Sequence, residues 1–219
     1  MAAKKQQLAQ LSLAANATST IYSTPADVTT IFKEITICNP TDVAVLFSMA
    51  VVGAEGSGAT NFVFKEIYIE AGVTNIISLS TIVPEGKGVV VSCVPYSAGG
   101  SLNIIASGVE LTGSTGKQLV VQTLTTSPQV LYTVPAEKTG VLYQAMICNV
   151  TSDAAMITMH IVPPGGTAQD GNAVLSAVTV DFAASLLYTA STAMPAGSKI
   201  VAFSSVSNAI NLTIDGTEK

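Results

Sequence analysis

Short runs of apolar, β-branched residues alternate with turn residues along the whole chain, and this pattern predicts an all-β protein. The segments that interrupt the runs, such as TPAD, NPTD, PEGKG and SAGGS, are rich in the Gly, Pro, Asn and Asp that turns require. Spacing of this kind is typical of antiparallel sandwiches and barrels. In the first half of the chain we predict strands at 18–23, 31–38, 44–52, 62–69, 74–79, 87–94 and 102–109.

The chain repeats itself with a spacing of 110 residues. Between Tyr22–Val52 and Tyr132–Val162, eleven of 31 positions are identical, whereas unrelated segments would share about two. The turn segments recur in the same order, which matters because turn geometry fixes topology. We therefore predict two tandem antiparallel β-sandwich domains, Ig-like or jelly-roll-like, each with about seven or eight strands. The predicted bounds are 1–111 and 117–219, with a Gly/Ser/Thr-rich linker at 112–116.

The first fifteen residues contain good helix formers, but the repeat argues against a helix. Leu8 and Leu13 align, with a shift of one residue, to Leu119 and Leu124 in the strand-like segment QLVVQTL. We predict that 7–13 is either the first strand of the first domain or an arm that adds to the sheet edge of a neighbouring molecule.

The chain has few charges, and this changes the functional expectations. It carries 9 lysines, no arginine and 14 acidic residues, for a net charge of −5, which argues against a nucleic-acid partner. Spread over a compact chain of this mass, the charges would number about one per 400 Å² of surface, against about one per 170 Å² for average composition. With 48% hydrophobic residues and a mean hydropathy of +0.52, we expect other subunits to cover much of the outer surface.

Neither a membrane segment nor a disulfide framework is predicted. The longest apolar run, VAVLFSMAVVGA at 43–54, is too short for a spanning helix. Polar residues interrupt the N-terminal stretch, so we expect no signal peptide and interpret the stretch as part of the mature protein. Cys38 and Cys148 occupy equivalent places in the repeat, whereas Cys93 has no cysteine counterpart. Three buried thiols are the favoured interpretation, and a Cys38–Cys93 bridge between two sheets stays open.

No catalytic, cofactor or metal site is predicted. His160 is the only histidine and lies in a predicted strand; its counterpart in the first copy is Ala50. One His and three Cys without paired spacing do not make a zinc site. Most acidic residues fall in predicted turns, where Asp and Glu are usually solubilising, so a glycosidase-like carboxylate pair is disfavoured.

The longest loops, GAEGSGAT (53–60) and PPGGTAQDGN (163–172), stand at matching places in the two copies. They match neither phosphate-binding glycine motif, and neither opens a helix. We predict that they are hairpin loops that contact a neighbouring subunit, partner or receptor. The candidate contact residues are Gly53, Glu55, Gly56, Gly58, Pro164, Gly165, Gly166 and Asp170.

The second copy also resembles a known family. In LYTVPAEKTGVLYQAMICNVTSDAAMITMHIVPPGGT and MPAGSKIVAFSSVSNAINLTIDGTE, a Y-T-V-P-A segment precedes a strand ending in C-N, then an I-V-P-x-G-G loop, a P-A-G turn and a closing T-I-x-G. This pattern is similar to a β-sandwich module of tailed-bacteriophage virion proteins. The resemblance covers most of 128–217 and, more faintly, 18–111. The first copy departs from it with VVGAEGSG in place of the VPPGG loop and VPEGKG in place of the P-A-G turn.

The resemblance implies a non-enzymatic virion component, such as a head-decoration, collar or tail-surface subunit, that is assembled in the host cytoplasm. We expect it to contact copies of itself, as a trimer, pentamer or hexamer, and neighbouring virion proteins. The alternative is a receptor- or glycan-binding module of a phage fibre or cell-surface protein. Such a module exposes aromatic residues for sugar stacking, whereas this chain has no Trp and its 6 Tyr and 6 Phe fall mostly inside predicted strands. A carbohydrate-active enzyme ranks third.

Overall fold

A computed structural model of the chain describes residues 3–53, 61–113 and 116–219. The contacts divide the chain into two compact units, Met1–Ser114 and Thr115–Lys219. Among the described residues, every element is a β-strand except one short 3-10 helix at Asp170–Asn172. The predicted all-β class, with two antiparallel β-sandwich domains, is therefore confirmed. The predicted linker at 112–116 stays a prediction.

The first unit has eight described strands in two antiparallel sheets. They are β1 (Ala3–Ala14), β2 (Thr18–Ser23), β3 (Val28–Cys38), β4 (Val45–Gly53), β5 (Phe62–Ile69), β6 (Thr74–Val83), β7 (Lys87–Pro95) and β8 (Ser101–Thr112). One sheet has the order β1-β8-β3-β6 and the other the order β2-β7-β4-β5. The N-terminal segment therefore pairs within its own unit, as an edge strand beside β8.

The second unit repeats this arrangement. Its strands are β9 (Gly116–Thr123), β10 (Gln129–Thr133), β11 (Gly140–Asn149), β12 (Ala155–Val162), β13 (Ala173–Val180), β14 (Ser185–Met194), β15 (Lys199–Ser204) and β16 (Ile210–Glu218). The sheet orders are β14-β11-β16-β9 and β10-β15-β12-β13. Each strand of the first unit has its counterpart eight strands later.

Both units connect their strands in the same way. The first four strands alternate between the two sheets, the fourth and fifth pair as neighbours in one sheet, and the last three alternate again. Eight strands connected in this order form a jelly roll. The Ig-like version of the prediction, with its seven-strand arrangement, therefore gives way to the jelly-roll version in both units.

Alternating side chains form the core between the two sheets of each unit. In β8, for example, Leu102, Ile104 and Ala106 are buried, whereas Asn103 and Ile105 are exposed. This period of two is expected for a strand with one face against a core and one towards solvent. The core of the second unit is built in the same manner and includes Leu142, Ile147, Ile157, Met159, Ile200 and Leu212.

The C-N pair of the sequence marks a buried polar clamp in both units. Asn39 and Asn149 are fully buried at the ends of β3 and β11. The Nδ2 of Asn39 donates to the carbonyl oxygens of Val43 (2.8 Å) and Ile69 (3.3 Å), and its Oδ1 accepts from the amide of Thr41. The side chain thereby ties the following loop to the end of β5, and burial makes each bond costly to lose.

The clamp of the second unit reproduces these bonds. The Nδ2 of Asn149 donates to Asp153 O (2.8 Å) and Val180 O (2.9 Å), and its Oδ1 accepts from the amide of Thr151. The carbonyl groups that accept these bonds belong to different residue types in the two units. The repeated asparagine and threonine therefore determine the conformation of the loop, and the residues between them do not.

A repeated glycine also fixes the approach of neighbouring strands. A side chain at Gly108 would overlap the carbonyl oxygen of Ile31, and one at Gly216 would overlap that of Val141. Both glycines lie where the register shifts, beside Lys33 in β3 and Tyr143 in β11. These β-bulges put one extra residue in the strand and increase its local twist.

Candidate assembly surfaces

The predicted contact loop of the second unit begins with a tight turn. The amide of Gly166 donates to Pro163 O at 3.0 Å, and Gly165 has a φ of 72°. Proline in the second position and a glycine with positive φ in the third are typical of a type II turn. Pro164 and Gly165 are exposed at its tip.

The second half of the same loop is held from inside by Asn172. Its Oδ1 accepts from the amide of Gln169 at 3.1 Å, and its Nδ2 donates to Thr167 O at 2.8 Å. Asp170 lies in this part of the loop and is exposed. The structure thus brings Pro164, Gly165, Gly166 and Asp170 together in one exposed, internally bonded loop.

The matching loop of the first unit is described only at its start. Gly53 is the last residue of β4, and a side chain there would approach the Nζ of Lys87 at 3.2 Å. Glu55, Gly56 and Gly58 lie outside the described residues. Their role as contact residues stays a prediction.

Two further turns adjoin the loop of the second unit. A side chain at Gly197 would contact Pro164, which places the turn between β14 and β15 beside the loop. The amide of Gly197 donates to Val134 O, and that of Val134 donates to Ser198 O. Three connections therefore meet at one end of this jelly roll, and the predicted contact residues are part of a larger surface.

His160 holds the loop rather than lining an open site. Its ring is buried, lies nearly parallel to that of Phe203, and places Nδ1 3.1 Å from Asn172 Oδ1. Because the Asn172 amide already donates through Nδ2, its Oδ1 is an acceptor, and this network assigns the proton to Nδ1 of the histidine. Among the described residues, no group of three or more metal-ligating side chains is found.

Each unit also has a tyrosine that joins its two sheets. The hydroxyl of Tyr22 in β2 donates to Glu110 in β8 at 2.7 Å, and that of Tyr132 in β10 donates to Glu218 in β16 at 2.6 Å. Burial, together with the Glu110 carboxylate, raises the pKa of Tyr22 to about 12. Burial and Glu218 likewise raise the pKa of Tyr132. Both phenols are therefore neutral at physiological pH and act as hydrogen-bond donors.

Glu218 is further paired with Lys117. Hydrogen bonds from Lys117 and Tyr132 lower the pKa of this carboxyl group, so it stays ionised. All three cysteines are free thiols, and burial raises the pKa of Cys93. A raised pKa keeps a thiol protonated and unreactive.

The outer face of the sheet β2-β7-β4-β5 carries exposed apolar residues, and the sequence analysis did not predict which side chains would face outward. Tyr68 and Tyr96 are 52% and 64% exposed, and their rings meet edge to face at 5.4 Å. Leu46 pairs with Tyr68 on one side and with Val94 on the other, which aligns the three side chains across β5, β4 and β7. We refer to Leu46, Tyr68, Val94 and Tyr96 as the first apolar patch.

The equivalent region of the second unit is less apolar, because Met156 lies between Thr179 and Ser205. Met156, the counterpart of Leu46, is 42% exposed and bonded through its main chain to Ser205. Val206 follows Ser205, and Phe182 follows the end of β13, where Thr179 pairs with Met156. Phe182 and Val206 are 60% and 45% exposed. Met156, Phe182 and Val206 are therefore exposed apolar residues of the second unit, without the cross-strand alignment of the first apolar patch.

Comparison with known proteins shows no family for this chain. No protein-family model and no curated protein matches the sequence. A structure described as the STIV MCP is 11% identical, with a TM-score of 0.34, over 100% of this chain and 96% of that one. A fucolectin from striped bass serum is 12% identical, with a TM-score of 0.31, over 98% of this chain and 85% of that one. A structure described as the triple jelly roll fold and turret assembly of an archaeal virus is 12% identical, with a TM-score of 0.29, over 98% and 58%.

No helix in the described parts of the chain is long and apolar enough to cross a membrane.

Proposed function

We propose that the chain is a non-enzymatic structural subunit of a virus particle, acting through contacts with copies of itself and with neighbouring virion proteins. A head-decoration, collar or tail-surface position is the specific form of this proposal. The observation that carries it is the exposed apolar patch of the first jelly roll, together with the exposed Met156, Phe182 and Val206 of the second, in a chain with only 11% charged residues. Contiguous apolar surface of this kind is typical of protein interfaces.

The loops support the same proposal. The loop at 163–172 is exposed and yet bonded internally through Asn172. A loop that is already ordered loses little conformational entropy when a partner binds to it. Pro164, Gly165, Gly166 and Asp170 are therefore suited to a rigid subunit contact.

The chemistry of the polar side chains is consistent with a structural role. His160 is buried and holds a loop, and the two tyrosine–glutamate pairs join sheets. Each of these groups has a structural role that accounts for its placement. The jelly roll occurs in viral capsid and in lectin domains, so the fold alone does not choose between particle subunit and glycan binder.

One observation favours the second candidate, a glycan- or receptor-binding module. Tyr68 and Tyr96 are exposed side by side, and exposed aromatic rings can stack on sugars. The two rings stand at 73° to each other. They do not form a flat platform, which is why the particle subunit remains the first proposal.

Sedimentation velocity and electron microscopy of the purified chain test the proposal. We expect a closed oligomer, a trimer, pentamer or hexamer, at micromolar concentration. We expect Tyr68→Ser with Tyr96→Ser to weaken association at least tenfold, whereas Tyr143→Ser, a half-exposed tyrosine elsewhere in the chain, leaves it unchanged. A monomer at all concentrations that binds a glycan array through Tyr68 and Tyr96 would favour the second candidate instead.

A further inference from the structure

Each of the four sheets ends in two edge strands, which gives eight edges in the described chain. An edge strand presents main-chain N–H and C=O groups to which a strand of another molecule can add. Proteins normally prevent this with charged residues, short edges or bulges. The eight edges differ in this protection.

Six of the edges are protected in these ways. Lysines lie in β1, β5 and β9. Strands β2 and β10 are only six and five residues long and shift register along their length. Strand β13 shifts register twice and contains Ala177, which has a positive φ.

The remaining two edges, β6 and β14, occupy equivalent places in the two units. Each has ten residues and contains no charged residue, proline or glycine. Each also has a regular five-residue run before its register shift: Thr74–Ser78 pairs with Glu34–Cys38, and Ser185–Thr189 pairs with Gln144–Cys148. The two strands are longer than every other edge strand except β1, and their five-residue runs are regular and uncharged.

The hydrogen-bond pattern shows which groups face outward. The amide of Asn39 donates to Val73 O, and that of Asn149 donates to Ala184 O, both at 2.9 Å. Hydrogen-bonded and non-hydrogen-bonded pairs alternate along an antiparallel ladder. The N–H and C=O groups of Ile76 and Leu187, three residues further on, therefore point away from β3 and β11. Their side chains are exposed as well, by 65% and 38%.

We propose that β6 of one copy pairs, antiparallel, with β14 of the next copy, so that the copies close into a ring. This inference rests on the proposed function, which requires self-association. It adds a main-chain contact between strands to the contact made by the first apolar patch, and we expect the ring to need both. Ile76 and Leu187 lie at the centre of the paired runs.

The two runs themselves favour a second copy of this chain as the partner, because both are unprotected, uncharged and of equal length. The net charge of −5 opposes association, and a contact between two uncharged runs adds no like-charge pair to that repulsion. Pairing β6 with β6 and β14 with β14 would produce an open-ended string, whereas pairing β6 with β14 is a head-to-tail contact that can close.

Single lysine substitutions test the contact. We expect Ile76→Lys and Leu187→Lys each to convert the ring to monomers in sedimentation velocity, because a head-to-tail contact uses both edges. An equal mixture of the two variants should form dimers, since each variant keeps one intact edge. Matched controls on the opposite edges of the same two sheets, Ser12→Lys and Val121→Lys, should assemble like the unmodified chain; Val121 is 38% exposed, as is Leu187.

A second pair of variants separates loss of contact from loss of folding. Ile76→Pro and Leu187→Pro each remove an outward N–H without removing a bond to β3 or β11, so we expect a native circular dichroism spectrum together with monomers. Rings that persist in the lysine variants would overturn this inference and leave the proposed function standing. Dimers from each single variant alone would show like-with-like pairing and would also overturn it. An unmodified chain that stays monomeric would overturn both.

Discussion

Gly72 and Ala183 occupy the same turn in the two jelly rolls, and both adopt a left-handed backbone, with φ of 70° and 51°. The first unit uses glycine, which accepts this conformation readily, and the second uses alanine, which does not. The turn forms in both because the amides of Asn39 and Asn149 donate to the residue that follows it, Val73 and Ala184. The comparison indicates that main-chain bonds from the ends of β3 and β11 determine the turn, and that local conformational preference only adjusts its stability.

The bulges in β3 and β11 provide a second comparison. The bulge residue is Lys33 in the first unit and Tyr143 in the second. The next cross-strand pair is Glu34 with Ser107 in one and a buried Gln144 with Asp215 in the other. The repeated glycine beside the bulge is the shared feature. Residues that set the backbone path are retained between the units, and those that project from it vary.

Removing the clamp should have the largest effect. We expect Asn39→Ala and Asn149→Ala each to lower the free energy of unfolding of its own unit by about 3 kcal/mol, because several buried main-chain groups lose their partner. Denaturant unfolding monitored by circular dichroism measures this. Asn103→Ala, an exposed asparagine in β8, is the control and should change stability by less than about 0.5 kcal/mol. Unequal losses at the two clamps would contradict the equivalence of the units.

The tyrosine ties should have an intermediate effect that depends on pH. We expect Tyr22→Phe and Tyr132→Phe each to cost about 1 kcal/mol at neutral pH. The raised pKa of the phenols means that their contribution is complete below pH 10 and is lost as the pH rises towards 12. Thermal melts across this range should therefore show the difference between the unmodified chain and the double variant shrinking.

At acidic pH, the contribution of Glu218 to stability depends on pH in the opposite direction. Because the pKa of Glu218 is lowered in the folded state, its contribution is present above pH 4.5 and is lost as the pH falls below that value. Glu218→Gln should remove this dependence in the second unit. A melt that is independent of pH at both extremes would contradict the role of the tyrosine–glutamate ties.

Exchanging the turn residues should have the smallest effect. We expect Gly72→Ala to destabilise the first unit by about 1 kcal/mol, because alanine is strained at positive φ. Ala183→Gly should leave the second unit within about 0.5 kcal/mol of its original stability, since relief of strain offsets the added freedom of the unfolded chain. Calorimetry of the two variants measures the difference. Equal effects of both substitutions would contradict the interpretation of this turn.

The sequence predicted those parts of the fold that depend on local pattern. Strands 18–23 and 62–69 match β2 and β5 at both ends, and the predicted turns fall between strands. The predicted 7–13 and 74–79 are extended in the structure to Ala3–Ala14 and Thr74–Val83. The additional residues pair with neighbouring strands. Several of them are polar, so without knowledge of that pairing their sequence resembles a loop.

Sheet order, bulges and exposed faces could not be predicted in the same way. A bulge adds one residue and reverses the alternation of faces along the strand. At Glu66 and Ala177, the main-chain amide of the bulge donates a hydrogen bond to the hydroxyl of Ser48 or Thr158. Tyr68 lies in a strand as predicted, but its side chain points outward, because strand membership does not determine burial. The position of the loop that contains Pro164 and Asp170 was predicted from the repeat, whereas the stacking of His160 on Phe203 depends on long-range pairing.

The buried clamps have a consequence for the chemical ageing of the protein. Asparagine deamidates when the following main-chain nitrogen attacks its side-chain carbonyl. Asn39 is followed by Pro40, which has no N–H to lose, and the side-chain oxygens of Asn39 and Asn149 are both held by two donors from the adjacent threonine. We expect these two amides to outlast the exposed asparagines of the chain during prolonged storage of the purified protein.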